Sequence, residues 1–194
     1  MKLANVLVPV CLLVPSAAFA ADPSNMNVVT SMPSDAAKKA AFKALVDKAN
    51  QASLSGRLVE AADAYFAALE MQRNPIVAGR LGLVLVKLGK TDRAAEQLQE
   101  AVVRGQGAPP WERLAVQQAY DKARSMTTLV NVDISHAGTK VTYDGAPTNP
   151  LGLSGYWMFA LPGEHSLRAT LDGYDEAVAT FVAKPGEEIV VTLK

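Results

Sequence analysis

A sequence pattern that occurs twice constrains the fold of this chain more than any single motif does. Gly56, Ala61, Tyr65 and Ala68 each have a counterpart 33 residues later, and these counterparts are Gly89, Ala94, Leu98 and Ala101. A fixed period of about 20 to 50 residues is typical of stacked repeats, in which each unit covers the apolar face of its neighbour. The pattern therefore predicts an array of paired helices centred on residues 56–102.

Five helices are predicted between residues 34 and 124. Short polar residues and prolines mark helix starts, whereas a glycine marks a helix end because it adopts the left-handed conformation without a steric penalty. The predicted helices run from Ser34 or Asp35 to about Leu54, from about Leu58 to Gln72, from Pro75 to Gly89, from a Thr91-Asp92 cap to Gly105, and from Trp111 to about Arg124.

The spacing of apolar residues predicts which face of each helix is buried. In the first helix the predicted stripe comprises Ala37, Ala41, Leu45, Ala49 and Ala52. In the fifth helix Leu114, Ala115 and Ala119 share the predicted face.

Residues 36–124 resemble the tetratricopeptide repeat (TPR) family. The first-helix signature W-x2-L-G corresponds to Ala78-x2-Leu81-Gly82 and Trp111-x2-Leu114-Ala115, and the second-helix signature A-x3-F corresponds to Ala61-x3-Tyr65 and Ala94-x3-Leu98. The resemblance implies helical hairpins that stack into a curved array with a concave groove. A helical hairpin array outside this family is the alternative.

The same resemblance implies which residues line the groove, since first-helix positions face it in the family. These positions are Lys43, Val46, Asn50, Ile76, Arg80, Leu83 and Lys87. Their polar and cationic members would suit a peptide carboxylate or an acidic tail of a protein partner. The alternative is an ordinary solvated helix face.

From Thr127 the apolar period changes from that of a helix to the alternation of a strand. Val130, Val132 and Ile134 are predicted to face inward, and Asp-Gly and Pro-Gly pairs separate the later short strands. This half of the chain predicts a small antiparallel β-sandwich, so the fold class is α+β, with helical repeats followed by an all-β domain.

The β half is similar to PEGA domains, which are β-sandwich modules often joined to TPR units in exported bacterial proteins. The residues that carry the resemblance are Val141-Thr142-Tyr143-Asp144-Gly145, Asn149-Pro150-Leu151, Leu161-Pro162-Gly163-Glu164-His165, Gly173-Tyr174 and Val190-Val191-Thr192-Leu193. They extend through most of 127–194.

The first twenty residues are typical of a secretory signal peptide. Lys2 precedes an apolar run from Leu3 to Val14, and Ala18-Phe19-Ala20 fits the small-residue cleavage pattern. Cleavage after Ala20 predicts a mature chain without cysteine, exported to the periplasm or cell surface and with no transmembrane segment. The predicted organisation is a signal peptide at 1–20, a flexible leader at 21–34, helical repeats at 35–125 and a β-sandwich at 127–194.

Composition and motifs favour no catalytic chemistry. The chain has 19 basic and 19 acidic residues, a balance that argues against a nucleic-acid partner. His136 and His165 have no nucleophile or ligand set at recognisable spacing, and Gly152-Leu153-Ser154-Gly155 misses the G-x-S-x-G spacing by one residue. We therefore expect no metal, no cofactor and no catalytic residues.

Two adjacent aromatic residues provide a second candidate binding surface. Tyr156 and Trp157 point to opposite faces of a predicted strand, so one of them faces the core and the other could stack on a saccharide ring. The alternative is that both pack in the core or at the sheet edge.

Three hypotheses on function follow. The first is a non-enzymatic scaffold or adaptor of the bacterial cell envelope that binds a protein through the repeat groove. The second is a carbohydrate- or peptidoglycan-binding module that uses Tyr156 and Trp157, and the third is an enzyme whose site is not encoded in a motif.

Overall fold

A computed structural model describes residues 34–148 and 151–194, in which five helices precede seven strands. Residues Ser34–Lys194 form one compact unit. The predicted signal peptide and residues 21–33 of the predicted leader lie outside the described residues, as do Asn149 and Pro150. The helices are α1 (Asp35–Leu54), α2 (Leu58–Met71), α3 (Pro75–Lys87), α4 (Thr91–Arg104) and α5 (Pro110–Met126).

The helix ends follow the local sequence closely. The Ser34 side chain accepts a hydrogen bond from the Ala37 N–H, and the Asn74 side chain accepts from the Ile76 and Val77 N–H groups. Gly56 and Gly89 both have φ above +70°, which a residue with a Cβ rarely adopts. The predicted Thr91-Asp92 cap is wrong by one residue, because α4 begins at Thr91 and follows Lys90, which makes no side-chain cap.

The 33-residue repeat is present in the packing of the two helical hairpins. Ala61 and Ala94 are fully buried at equivalent places in α2 and α4, and the larger Tyr65 and Leu98 are buried one turn later. Small residues at these positions allow close approach of the paired helices. The contact is tightest at Gly82, where a Cβ would lie 2.5 Å from Leu98 Cγ.

Two predictions of buried faces are confirmed only in part, although Leu45 of α1 and Ala119 of α5 do pack against the helical core. Along α1 only Ala49 and Ala52 are buried, whereas Ala37 and Ala41 are exposed, because the 20-residue α1 is longer than its 14-residue partner α2. On α5 the predicted Leu114 is exposed, and the buried side chains are instead Glu112, Val116 and Ala123.

Seven strands form two sheets that pack face to face. The strands are β1 (Thr128–Ile134), β2 (Lys140–Tyr143), β3 (Ala146–Thr148), β4 (Gly155–Ala160), β5 (Gly163–Thr170), β6 (Ala177–Ala183) and β7 (Glu188–Leu193). One sheet has the order β4-β1-β7 and the other the order β3-β2-β5-β6. The predicted inward residues Val130, Val132 and Ile134 are confirmed, and they share a core with Leu167 of the facing sheet.

The prediction of an antiparallel sandwich is wrong for one strand pair. β1 and β7 are parallel, with Val130 opposite Ile189 and Val132 opposite Val191, while the other paired strands are antiparallel. The chain crosses from one sheet to the other between β6 and β7, so the last strand lies beside the first in the same direction. Alternation of apolar residues fixes which face is buried but carries no information on strand direction.

The helices and the sandwich meet without a flexible linker. Thr127, the single residue between α5 and β1, is fully buried, and its hydroxyl donates to the Ala123 carbonyl at 2.9 Å. The Thr128 hydroxyl donates to the Lys184 carbonyl at 2.6 Å, which ties the junction to the β6–β7 turn. Phe159 of β4 joins the helical core, with its ring edge-on to Tyr120 of α5 at 6.5 Å.

Candidate functional site

The predicted groove contains an internal ion pair that the sequence did not suggest. The Arg80 guanidinium donates from Nε and Nη2 to the two carboxylate oxygens of Glu112, at 2.7 and 3.1 Å. The Glu112 side chain is only 4% exposed, whereas that of Arg80 is 32% exposed. The pair joins α3 to α5, so the cation expected to meet a partner is already neutralised inside the protein.

The other polar residues of the predicted groove are also engaged or fully solvated. Lys43 pairs with Asp47 one turn along α1 at 2.6 Å, and the Asn50 side-chain oxygen accepts from the Tyr65 hydroxyl at 2.6 Å. Lys87 is exposed near the end of α3. The remaining residues, Val46, Ile76 and Leu83, are half-buried. A carboxylate clamp built from these positions is therefore weaker than the sequence suggested.

The Tyr65 hydroxyl lies close to the Arg80–Glu112 pair. Burial raises the pKa of Tyr65, with the Arg80 charge opposing and the Glu112 charge adding to that effect. Both charged groups therefore act on a tyrosine that itself positions Asn50. Reasoning from the repeat missed Glu112 because it lies 32 residues from Arg80, although a glutamate at the place equivalent to Gly79 was a visible departure from the pattern.

A cavity of about 370 Å³ opens between α3, α4 and α5, next to this ion pair. Its lining is mixed, with Ile76 and Gly79 from α3, Val102 from α4, and Glu112 and Leu114 from α5. Leu114 is 60% exposed, and Trp111 on the preceding turn is 71% exposed. This part of the helical region therefore combines a concave space with uncovered apolar side chains.

A larger cleft of about 850 Å³ separates the helices from the edge of the sandwich. Phe66, Leu69 and Met71 of α2 form its apolar helical wall. The opposite wall comes from β4 and the segment before it, and includes Leu151, Leu153, Tyr156 and Trp157. The charged residues of the lining are Glu70, Arg73, Glu96 and Glu100.

The two aromatic residues predicted for glycan stacking both line this cleft but point to different faces of β4. Trp157 is 42% exposed and lies on the helix-facing side of its sheet, with its ring edge-on to Phe159 at 5.9 Å. Tyr156 packs against the sandwich core, and burial raises the pKa of its hydroxyl. Of these two rings, that of Trp157 is on the helix-facing side of the sheet.

The Glu96 carboxylate of α4 accepts a hydrogen bond from the backbone N–H of Phe159 in β4. Burial raises the pKa of Glu96 to about 7, and the negative charge of Asp92 adds to this, while the backbone N–H of Phe159 and the charge of Arg93 act in the other direction. Glu96 therefore titrates near neutral pH at the boundary between α4 and the sheet.

His165 lies in a separate cluster on the second sheet. Its Nδ1 is 2.6 Å from an Asp144 carboxylate oxygen and 2.8 Å from the Tyr143 hydroxyl, and its Nε2 is 2.7 Å from the Leu161 carbonyl oxygen. Both ring nitrogens are thus engaged in contacts that hold the β2–β3 turn against β5. His136 is exposed and contacts the ring of Tyr174 at 4.6 Å.

Asp144 has two groups that favour its ionised form. Partial burial alone would raise the pKa of Asp144, but hydrogen bonds from the His165 ring and the Ser166 N–H outweigh it and hold the pKa below its usual value. Burial, together with the nearby Asp144 charge, raises the pKa of Tyr143. The geometry is that of a braced hairpin, with Asp144 in the left-handed conformation at φ +48°.

In residues 34–148 and 151–194 no group of three or more His, Cys, Asp or Glu side chains is arranged to hold a metal ion. Within the same residues no helix has the length and apolar character needed to cross a membrane. No family model matches the sequence, and no curated protein matches it.

Proposed function

We propose that this protein is an exported, non-enzymatic scaffold of the bacterial cell envelope that binds a protein partner through its helical repeats. The observation that carries the proposal is the cavity between α3, α4 and α5, which is flanked by the uncovered Leu114. Concave apolar spaces with a few polar groups are the usual sites of ligand binding. Export rests on the signal-peptide pattern that ends at Ala20.

We also propose that the helices are TPR-like repeats and that the sandwich is PEGA-like. The equal burial of Ala61 and Ala94, and the matching glycine conformations after α1 and α3, support the first assignment. The braced turn at Asp144-Gly145 and the β5 start at Gly163 occur where the PEGA resemblance places turns, which supports the second.

The geometry favours an apolar side chain of the partner over a terminal carboxylate. Arg80 is neutralised by Glu112, so a carboxylate would have to compete with a bidentate pair whose acid is buried. Ile76 and Leu114 instead offer apolar contact at the cavity. We therefore expect the partner to insert an aliphatic or aromatic residue between α3 and α5.

Substitution of one exposed leucine tests this proposal. The mature chain, residues 21–194, and its Leu114→Asp variant would be immobilised and incubated with a detergent-solubilised envelope fraction. We expect a defined protein to be retained by the parent and lost from the variant, since a carboxylate at the cavity cannot bind an apolar side chain. Leu54→Asp is the matched control, because Leu54 is an exposed leucine at the end of α1 that does not line the cavity. Equal retention by all three proteins would contradict the proposal.

The half-exposed Trp157 favours a second candidate function, a carbohydrate- or peptidoglycan-binding module. A tryptophan ring at the wall of an 850 Å³ cleft is suited to stack on a sugar ring. Trp111→Phe leaves Trp157 as the one tryptophan of the chain, which has two. Soluble peptidoglycan fragments should then shift its fluorescence if this candidate is correct, and the shift should disappear in a Trp157→Leu control protein that retains Trp111.

A further inference from the structure

β4 lies at the edge of its sheet, and its register shows which backbone groups face away from the sheet. β4 pairs with β1 alone among the strands of the described residues. The Ile134 N–H donates to the Ser154 carbonyl at 2.7 Å, so positions 154, 156, 158 and 160 exchange hydrogen bonds with β1. The alternate residues Gly155, Trp157 and Phe159 therefore direct their N–H and C=O groups toward the open edge.

One end of this edge is already occupied by a helix side chain. The Phe159 N–H faces the Glu96 carboxylate of α4, which agrees with the direction deduced from the register. Further along the strand, Trp157 and Gly155 present their outward backbone groups beside the cleft of about 850 Å³. Exposed edges of this kind are templates for another strand unless the protein covers them.

The walls of the cleft differ in chemistry along the two faces of the sheet. On the sandwich side the segment before β4 exposes Leu151 and Leu153, both of which are more than 40% accessible. On the helix side the carboxylates of Glu70, Glu96 and Glu100 accompany the apolar side chains of Phe66, Leu69 and Met71. A strand placed along β4 would direct alternate side chains to these two walls.

The charge of the lining is negative. Three carboxylates and one guanidinium, that of Arg73, line the cleft. Of the three acids, Glu100 forms an exposed ion pair with Arg104 at 3.2 Å. Glu70 and Glu96 have no ion pair with a described residue within 4.0 Å. A cationic side chain in this cleft would therefore meet Glu70, and also Glu96, which is partly ionised near neutral pH and whose ionised form such a cation would favour.

We propose that the cleft binds an extended segment of another polypeptide, added as a strand to the free edge of β4, with Lys or Arg facing Glu70 and Glu96 and apolar residues facing Leu151 and Leu153. Main-chain hydrogen bonds to Gly155 and Trp157 would supply affinity, and the alternating side chains would supply selectivity. The cleft shares no lining residue with the cavity between α3, α4 and α5, so its test is independent of that proposal.

The charge pattern also argues against residues 21–33 of the same chain as the occupant. Residues 21–33 contain Asp22 and no lysine or arginine, so they lack the charge that complements the cleft. A glycan could stack on Trp157 but has no row of amide groups to match a strand edge. The backbone of the ligand is therefore what distinguishes the two occupants.

Synthetic peptides of matched length test the proposal directly. In mature Trp111→Phe protein, the fluorescence of Trp157 would be titrated with an acetylated hexapeptide that alternates lysine and valine. The controls are the glutamate–valine peptide and a lysine–valine peptide that is N-methylated at alternate residues to remove the N–H groups of one edge. We expect both controls to bind at least about tenfold more weakly, because one loses the charge match and the other the backbone match.

Two variants assign the binding to this cleft. Glu70→Gln with Glu96→Gln should weaken the lysine–valine peptide by about tenfold or more, whereas Glu164→Gln on the second sheet should leave it unchanged. Gly155→Pro removes one outward N–H without breaking the β1 ladder, and should also weaken binding. Circular dichroism and thermal unfolding establish that each variant is folded.

The outcomes separate the alternatives. Binding of the lysine–valine peptide that depends on its N–H groups and on Glu70 and Glu96 supports strand addition. The proposal is overturned if the N-methylated peptide binds equally, if neither peptide binds, or if an N-acetylglucosamine oligomer alone shifts Trp157.

Discussion

Helices α3 and α5 occupy the same place in the repeat plan but bury different faces. Leu81 of α3 is fully buried, whereas its counterpart Leu114 of α5 is 60% exposed. Gly82 touches α4 closely enough that no larger residue fits, whereas its counterpart Ala115 is half-buried. The two helices thus share a signature without sharing an environment.

The difference shows that a repeat signature describes an interface rather than a helix. α3 is followed by α4, which covers Leu81 and Gly82, but α5 is followed by Thr127 and β1. With no second helix to cover it, the signature face of α5 remains at the surface. The face that packs instead contains Glu112 and Val116, and it is set by contact with α3 and α4.

The largest difference in stability is expected between substitutions of the equivalent arginines, Arg80 and Arg113. Arg80→Ala leaves the buried Glu112 carboxylate without a partner and should reduce the free energy of unfolding by about 3–5 kcal/mol. Its counterpart Arg113 is exposed and donates to the Gln106 carbonyl, so Arg113→Ala should cost less than about 1 kcal/mol. Urea unfolding of both variants measures the difference. Losses of similar size would show that Glu112 is solvated and that the pair does not hold α5 to α3.

The second-largest difference in stability is expected between the equivalent leucines, Leu81 and Leu114. Leu81→Ala opens a cavity in the helical core and should reduce the free energy of unfolding by about 3 kcal/mol. Leu114→Ala removes an exposed side chain and should change it by less than about 0.5 kcal/mol. The substitution is identical, so helix propensity cancels between the two. A large loss from Leu114→Ala would mean that the signature face of α5 is covered in solution.

The small residues at equivalent positions should show opposite preferences. Gly82→Ala gains helix propensity, but its new Cβ collides with Leu98, so we expect a net loss of about 1–2 kcal/mol. Ala115→Gly relieves no such collision, so the lower helix propensity of glycine should by itself reduce the free energy of unfolding by about 1 kcal/mol. Alanine is therefore expected to be the worse residue in α3 and the better residue in α5. Stabilisation by Gly82→Ala would contradict the close packing of α3 on α4.

The smallest effect on stability is expected for the pair of Asp144 and His165 in the sandwich, because the Asp144 side chain is partly exposed. The folded-state pKa of Asp144 lies below its unfolded value, so the unfolded chain binds more protons on the acid side. The stability that Asp144 contributes is present above its unfolded pKa and is lost as the pH falls through the folded pKa. Asp144→Asn also tolerates the left-handed backbone and should flatten the acid-side decline. Thermal unfolding from pH 7 to pH 2 tests this, and unchanged acid sensitivity would assign the decline to other carboxylates.

Much of the fold was predictable because it depends on interactions between residues that are close in sequence. The caps at Ser34 and Asn74, the glycines after α1 and α3, and the inward residues of β1 all follow from the chemistry of a few neighbouring residues. The parallel pairing of β1 with β7 was not predictable, since it joins residues 59 positions apart, such as Val130 and Ile189, and leaves no mark on the alternation of apolar residues.

The candidate sites were less predictable than the fold. Trp157 was recognised as a possible contact residue, but the register and topology were needed to show that it lies at a free edge beside acidic residues. Arg80 was predicted from its repeat position to line the groove, and its charge is neutralised by Glu112 of α5. Sites of this kind depend on which elements meet, and local sequence does not encode that.

The sequence by itself determined the order of the helices and strands, the 33-residue period and the side of β1 that is buried, because each depends on steric and solvation preferences that act over a few residues. Tertiary structure alone decided that α5 turns its signature face outward, that Glu112 is buried against Arg80, and that β4 keeps an open edge. These features depend on which of several surfaces, distant in sequence, become buried against one another, and that is decided only when the helices and the sandwich pack together.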